Sequence, residues 1–207
     1  MQAGGQGDTR DEARDGATAD VHEGAHDDAA LLRRFAAGEH EAARVLTARH
    51  LPRVLALATR MLRDPSEAED VAQEAMLRVW RIAEEWRPGS ARFSTWLHRV
   101  TLNLCYDRLR KKRGASLDEA PEPEDPTPSV QARLEHEERG AALQEAMAEL
   151  PERQRAAIVL RHFDECSNPE IAEALEISVE AVESLLARGR RALRSKLSAK
   201  KALLLGD

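Results

Sequence analysis

Apolar residues recur at helical spacing along most of the chain, and the breaks between these stretches mark out eight candidate helices. Leu31, Leu32 and Phe35 lie in a segment over 28–37 that Gly38 stops. A second segment, 39–63, carries Ala42, Val45, Leu46, Leu55, Leu57 and Met61, with Pro52 predicting a kink. Asp64-Pro65-Ser66-Glu67 then supplies a helix start: a capping aspartate, proline at the first helical position, and glutamate three residues after the cap. The helix it opens runs to about Glu85, with Ala68, Val71, Ala72, Ala75, Met76 and Val79 at three-and-four spacing. Arg87-Pro88-Gly89-Ser90 reads as a turn, and a fourth helix covers about 94–113.

The polar stretches complete the organisation. Residues 1–26 hold almost no large apolar side chain, so they cannot bury enough surface to offset ordering and are expected to be disordered. The stretch GASLDEAPEPEDPTPS, from Gly114 to Ser129, is acidic and proline-rich and reads as an extended linker. Beyond it, helices are predicted over 132–149 and 152–163. Ser167-Asn168-Pro169-Glu170 is a capping box that opens a short helix to Leu175. After Glu176 and Ile177, Ser178 can cap a longer helix running to about Lys196. A short helix, a tight turn and a longer helix make a helix-turn-helix pattern, which occurs both in DNA-binding domains and in ordinary packed corners. The expectation is an all-α chain of two small helical domains, 27–113 and 132–200, joined by a flexible acidic linker at 114–131, with a tail at 201–207.

Composition supports helices: apolar residues are 42% of the chain and aromatics 3%, a poor mixture for a β-sandwich. Net charge changes the picture more. The total of −6 argues against nucleic acid until it is divided: residues 1–28 carry −6, 29–115 carry +7, 116–150 carry −8 and 151–207 carry +1. The acidity belongs to tail and linker, which leaves a nucleic-acid surface open on the two folded segments. No apolar run is long enough to span a bilayer and no signal-peptide core is present, so no membrane insertion and a cytoplasmic location are expected. Cys105 and Cys166 lie far apart and read as reduced packing thiols. Asp64, Glu67, Asp70 and Glu74 are better explained as caps and solvated charge than as metal ligands. With no histidine set at ligand spacing and no nucleophile or phosphate-loop motif, neither a metal, a cofactor nor catalysis is expected.

Several ordered motifs carry a resemblance. Asp70-Val71-Ala72-Gln73-Glu74-Ala75-Met76 with Val79-Trp80, Phe93-Ser94-Thr95-Trp96-Leu97 with Val100, Asn103, Asp107 and Arg110, Leu150 to Arg155, Pro169-Glu170-Ile171-Ala172, Ser178-Val179 and Val182-Glu183-Ser184 together resemble the extracytoplasmic-function (ECF) group of sigma-70 family sigma factors. The resemblance spans roughly 27–197. It implies a first domain (sigma region 2) that binds core RNA polymerase and opens the −10 promoter element. It also implies a second domain (sigma region 4) that reads the −35 element, and control by an anti-sigma factor or another signal-linked regulator. A freestanding helix-turn-helix regulator using only 132–200 is the alternative, and a metal-dependent enzyme a remote third.

Under that resemblance Glu69, Asp70, Gln73, Glu74, Leu77, Trp80 and Arg81 form the polymerase-binding face. Leu77 and Trp80 do not belong on a purely solvated surface. Arg92, Ser94, Thr95, Trp96, Arg99, Asn103, Arg110 and Lys111 are the −10 and melting candidates, since unpaired bases need cations and flat surfaces. Phe93 and Leu97 read as core. Trp96 is either core or a wedge at the edge of opened duplex, and Asn103 either reads a base edge or is an interior amide. The loop 87–92 would line the pocket for an extruded base. In the second domain Glu183, Ser184, Ala187 and Arg188 are expected to reach bases. Ser178 and Glu180 sit beside them, and Arg190 and Arg191 suit phosphates. The sequence departs from the family here: a basic residue is commoner at the positions of Glu183 and Leu185, and glycine at Glu176. Glu183 would repel phosphate yet could accept a hydrogen bond from cytosine.

Overall fold

A computed structural model describes residues 28–86, 92–115 and 131–205, with side chains described for all of these except 115, 131–139 and 199–205. The predicted disordered tail, most of the acidic linker and most of the loop 87–92 lie outside the described residues. Among those described there are eight helices and no strand: α1 (28–36), α2 (His40–Leu62), α3 (Pro65–Ile82), α4 (Phe93–Ala115), α5 (Gln131–Ala148), α6 (Glu152–His162), α7 (Asn168–Leu175) and α8 (Val179–Leu205).

The helix starts obey the local chemistry of the sequence. Asp64 caps α3, its carboxylate accepting from the Glu67 N–H at 3.2 Å with Pro65 at the first position. Ser167 and Glu170 form the reciprocal capping box of α7, and the Ser178 hydroxyl accepts from the Ala181 N–H at 3.2 Å to start α8. Gly38, at φ +92, closes the corner after α1. Pro52 sits inside α2, which runs on as helix through it. Two expectations need correction. Helix α4 continues through Gly114 and Ala115, two residues into the expected linker, and α8 extends to Leu205 rather than ending near Lys196. Nothing between Lys196 and Leu205 breaks a helix, and the run is rich in Ala, Lys and Leu.

Helices α2, α3 and α4 pack against one another, with Leu46, Leu57, Met61, Val71, Val79 and Leu102 wholly buried between them. Asp28, at the start of α1, is buried and accepts from Arg49 Nη1 at 2.6 Å, with His50 Nε2 at 2.9 Å from its other oxygen. That pairing clamps α1 to α2 and leaves no buried charge alone. In the second half α5, α6 and α7 surround α8. Gly189 lets α8 approach α6 closely, since a Cβ there would stand 2.9 Å from Ile158 Cγ1. Arg155 of α6 is buried; its Nε donates to the Met147 carbonyl at 3.0 Å, and its Nη2 donates to the carbonyls of Ala148 and Leu150. It therefore holds the end of α5 against α6.

The two halves are packed together. Helix α7 lies on α4 and α6 on α2, and the buried apolar residues form one continuous cluster through both. Arg155 Nη1 crosses the boundary to donate to the Met61 carbonyl at 2.5 Å. Arg60 lies over the Phe163 ring with its guanidinium carbon 4.3 Å from the centroid.

Candidate protein- and nucleic-acid-binding surfaces

The exposed face of α3 follows from its amphipathic pattern. Once Ala68, Val71, Ala72, Ala75, Met76 and Val79 are buried, Glu69, Asp70, Gln73, Leu77 and Arg81 are left outward. Leu77 is 49% exposed, one of two large apolar side chains so placed among the described residues, the other being Phe163. Glu74 is half-buried and accepts from Arg78 Nε at 3.1 Å. Trp80, three residues after Leu77, is half-buried against Phe35, ring centroids 4.9 Å apart. Asp70 lies 3.9 Å from Arg108 of α4. The seven candidate residues thus form one strip, acidic and amide at one end, apolar and cationic at the other. Its chemistry suits a protein partner.

Helix α4 is covered from two sides, by α2 and α3 and by α7, so few of its residues are fully free. Phe93 and Leu97 are core residues, as expected, and so is Thr95, at 3% exposure. In this conformation Thr95 does not face a ligand. Trp96 is half-buried, stacked on Phe93 at 5.8 Å and edge-on to Trp86 at 5.7 Å, and Ser94 is half-buried beside it. Arg92 Nη1 donates to Glu170 at 2.7 Å, and Arg99 Nη1 to Glu176 at 3.3 Å. Asn103 is exposed rather than an interior amide, and it lines a cleft of about 530 Å³ with Tyr106, Arg110, Glu152 and Glu176. Arg110 pairs with Asp107 one turn away, and Lys111 is exposed.

Helix α8 turns its polar face outward. Ser178, Glu180, Glu183, Ala187, Arg188, Arg190 and Arg191 are exposed, while Val182, Leu186 and Gly189 are buried. Ser184 is half-buried and accepts from Arg188 Nη2 at 2.7 Å. Hydrogen bonds from its own backbone N–H and from Ser178 hold the Glu180 carboxyl below the usual range. The helix thus begins acidic and continues basic. Glu176, which ends α7, adopts the left-handed conformation at φ 53, ψ 51. A side chain with a Cβ is strained in that conformation, which glycine would adopt freely.

Sequence reasoning missed a polar seam between the halves. His98 of α4 lies between Cys166 and Asp164 of the α6–α7 loop, with Cys166 Sγ 3.7 Å from Nδ1 and Asp164 Oδ2 3.7 Å from Nε2. The second spacing is too long for a hydrogen bond, and that Asp164 oxygen has none. Burial, then the charges of Arg53 and His50, pulls His98 down to about 4 against an opposing pull from Glu170. Burial pushes Asp164 up to about 6 and the Cys166 thiol up to about 12. A thiol held protonated is a packing group, in keeping with the reading of both cysteines as unpaired and buried. Among the described residues no cluster of three or more His, Cys, Asp or Glu is arranged to hold a metal, and no helix is long and apolar enough to cross a membrane.

Comparison with known proteins fits this geometry in chain order. Residues 46–115 match the family "Sigma-70 region 2", and residues 140–193 match "Sigma-70, region 4". The chain is 37% identical over 157 residues to the ECF RNA polymerase sigma factor SigE of Mycolicibacterium smegmatis, a stretch covering 74% of this chain and 60% of that protein. It is 34% identical over 163 residues to the ECF RNA polymerase sigma factor SigW of Bacillus subtilis, covering 70% of this chain and 83% of that one. Among solved structures, CnrH in complex with the cytosolic domain of CnrY superposes with a TM-score of 0.63 at 28% identity, covering 84% of this chain and 98% of CnrH. The sigma factor RpoE of Bartonella quintana, solved with the anti-sigma factor NepR, shares the fold at a TM-score of 0.60 and 21% identity, covering 75% and 96%.

Proposed function

The chain belongs to the ECF group of sigma-70 family RNA polymerase sigma factors, and from that premise we propose how its surfaces divide the work of transcription initiation. The first domain, 27–113, docks on core RNA polymerase through the α3 strip, with Leu77 and the edge of Trp80 as apolar anchors. Glu69, Asp70, Gln73, Glu74 and Arg81 surround them. The polar remainder fits an interface that forms and dissolves in each initiation cycle. The observation that carries this reading is the exposure of Leu77 on an otherwise conventional amphipathic helix.

Promoter opening falls to α4. Arg92, Arg99, Arg110 and Lys111 take backbone phosphates, while Asn103, exposed in the cleft, reads an unstacked base. Trp96, resting on Phe93 and Trp86, is the wedge at the upstream edge of the opened duplex, with Ser94 beside it. Thr95, being buried, positions the start of α4 rather than touching DNA. The second domain, 132–200, sets α8 in the major groove of the −35 element. Glu183, Ser184, Ala187 and Arg188 meet base edges there, and Arg190 and Arg191 meet phosphates, with Ser178 and Glu180 at the leading end. The protein makes and breaks no bonds itself; polymerase does the chemistry. It works in the cytoplasm, where its polymerase and DNA are, and an anti-sigma partner or other regulator controls it. The acidic linker between α4 and α5, 116–130, runs through the polymerase's nucleic-acid channel as a mimic of template strand. Replacing its carboxylates with Ser and Gly then impairs initiation, and unchanged initiation removes the linker from the account.

The test of the division is co-elution with core polymerase and promoter opening by the same preparations. Replacing Leu77 with Ala weakens co-elution, whereas Asn103→Ala leaves it intact and lowers permanganate-detected opening. If Asn103→Ala blocks co-elution, or Leu77→Ala leaves it unchanged, the assignment is wrong. A freestanding regulator needs no family match over the first domain, and the match at 46–115 weighs against it.

A further inference from the structure

A cavity of about 340 Å³ opens between α2 and the end of α6 with the loop that follows it, and it holds none of the residues assigned to polymerase or DNA. Arg53, Ala56 and Arg60 line it from one face of α2, at three- and four-residue spacing, so the alanine leaves room between two guanidinium groups. Phe163, Asp164 and Glu165 line the other side. Several of these polar groups lack a hydrogen-bond partner. Arg53 makes no hydrogen bond or ion pair among the described residues, and its charge acts on Asp164 and His98 through space. Arg60 Nε and Asp164 Oδ2 are buried without a hydrogen bond, and the Asp164 side chain is only 7% exposed. Folded proteins leave few polar atoms in that state. Phe163 nevertheless keeps 37% of its surface exposed beside them, with the Arg60 guanidinium over its ring. Glu165 holds a left-handed backbone, φ 55, which is strained for a residue with a Cβ.

Two cations, two carboxylates and a ring around one hollow require a ligand that carries the complement of each. Arginine holds phosphate through charge-assisted hydrogen bonds. A flat base stacks on an aromatic ring or a guanidinium plane. An ionised carboxylate only accepts hydrogen bonds, so it needs N–H donors on the ligand. Guanine presents two such donors side by side on its pairing edge, whereas adenine sets one donor beside an acceptor. We propose that this cavity binds a guanine nucleotide, with its phosphate on Arg53, its base against Phe163 and Arg60, and its N–H edge toward Asp164 and Glu165. The size agrees, since small-ligand cavities begin at about 300 Å³. Phosphate alone would face the two carboxylates with nothing to offset their repulsion, and an apolar ligand would leave the arginines and Asp164 unsatisfied.

Isothermal titration of the full chain with GMP tests the assignment, with AMP, guanosine and inorganic phosphate as the comparison titrants. One GMP binds per chain, about ten-fold more tightly than AMP or guanosine, and inorganic phosphate gives no saturable heat. Arg53 is exposed and makes no pair, so Arg53→Ala leaves the melting temperature unchanged. It weakens GMP about ten-fold and leaves guanosine as it was. Phe163→Leu keeps an apolar side chain in place and weakens GMP and guanosine alike, by about ten-fold. Asp164→Asn with Glu165→Gln abolishes the preference for GMP over AMP, a change that loosened packing does not produce. Arg44→Ala, which removes the same charge from α2 outside the cavity, binds GMP as the parent does. The polymerase and DNA surfaces share no residue with the cavity, so their assignment stands under either result. If GMP gives no saturable heat, if inorganic phosphate binds as tightly as GMP, or if Arg53→Ala and Phe163→Leu bind GMP like the parent, the cavity is not a nucleotide site.

Discussion

Removing the Arg155 guanidinium should cost the second domain far more than the first. The group is buried and donates to four carbonyls: Met147, Ala148 and Leu150 within its own domain, and Met61 across the boundary. Burial pulls its pKa down while neighbouring Glu152 pushes it back up, so the charge is kept at a cost. Hydrogen bonds from a charged donor are each worth about 1.5–3 kcal/mol, but desolvating the cation offsets much of that sum. The Met147 carbonyl also keeps the Leu150 N–H as a second partner. The net for Arg155→Ala is then about 3 kcal/mol, nearly all of it within α5 and α6. With a urea slope of about 1–1.5 kcal/mol/M for a domain of this size, the midpoint drops by about 2 M. Trp80, Trp86 and Trp96 all lie in the first domain, so their fluorescence follows that domain alone, whereas far-ultraviolet circular dichroism follows every helix. The dichroism transition moves by the full amount and the tryptophan transition by a fraction of it, the share owed to Met61. Arg155→Lys falls between, its ammonium reaching fewer carbonyls. A dichroism midpoint within about 0.5 M of the parent would show that these bonds contribute nothing net, and equal shifts of both probes would refute the division between domains.

Other expectations are smaller or more local. Glu176→Gly relieves the left-handed backbone and raises thermal stability by about 0.5–1 kcal/mol, less any loss from the Arg99 pair; a lower melting temperature contradicts it. Leu77→Ala weakens core-polymerase affinity about ten-fold without moving the melting temperature, as titration of labelled polymerase would report. Arg190→Ala with Arg191→Ala lowers the slope of log affinity against log salt for −35 duplex by about 2, and an unchanged slope removes them from the phosphates. The polar seam should respond to pH. His98, held at about 4 against 6.5 unfolded, contributes stability present above 6.5 and lost as pH falls through 4. Asp164, raised to about 6 from 3.8, contributes stability present below 3.8 and lost as pH rises through 6. With Arg53, Arg60, His50 and Glu170 facing them, the two slopes oppose each other between about 4 and 6. Asp164→Asn therefore makes the protein lose about 2–3 kcal/mol between pH 6.5 and 4, and His98→Gln reverses the sign, as urea melts across pH would show.

Local chemistry was the legible part. Asp64, Ser167 with Glu170, and Ser178 announce their helices because capping is decided within four residues, and the observed caps use those side chains. The outward placement of Glu183, Ala187, Arg188, Arg190 and Arg191 on α8 was readable because one stripe of that helix meets the core and the opposite one is left to solvent. Helix α4 was less readable. Packed from both sides, it buries Thr95 and half-buries His98, positions that a one-sided helix of this composition would turn outward. Contacts between the domains left no mark in the sequence. Arg92 and Glu170 are 78 residues apart, and Arg155 and Met61 94, so no periodicity or motif joins them. The α3 strip was legible only because Leu77 and Trp80 interrupt an otherwise polar face.

The central claim is that this chain directs polymerase to promoters, and run-off transcription tests it most directly. Purified core polymerase is given genomic fragments from the organism that carries the gene, with and without the factor. The account predicts discrete new start sites that share two spaced upstream elements, weaken with Asn103→Ala and vanish with a chain ending before α6. An unchanged transcript pattern, together with no co-elution with core polymerase, would contradict it and leave a freestanding DNA-binding protein in its place.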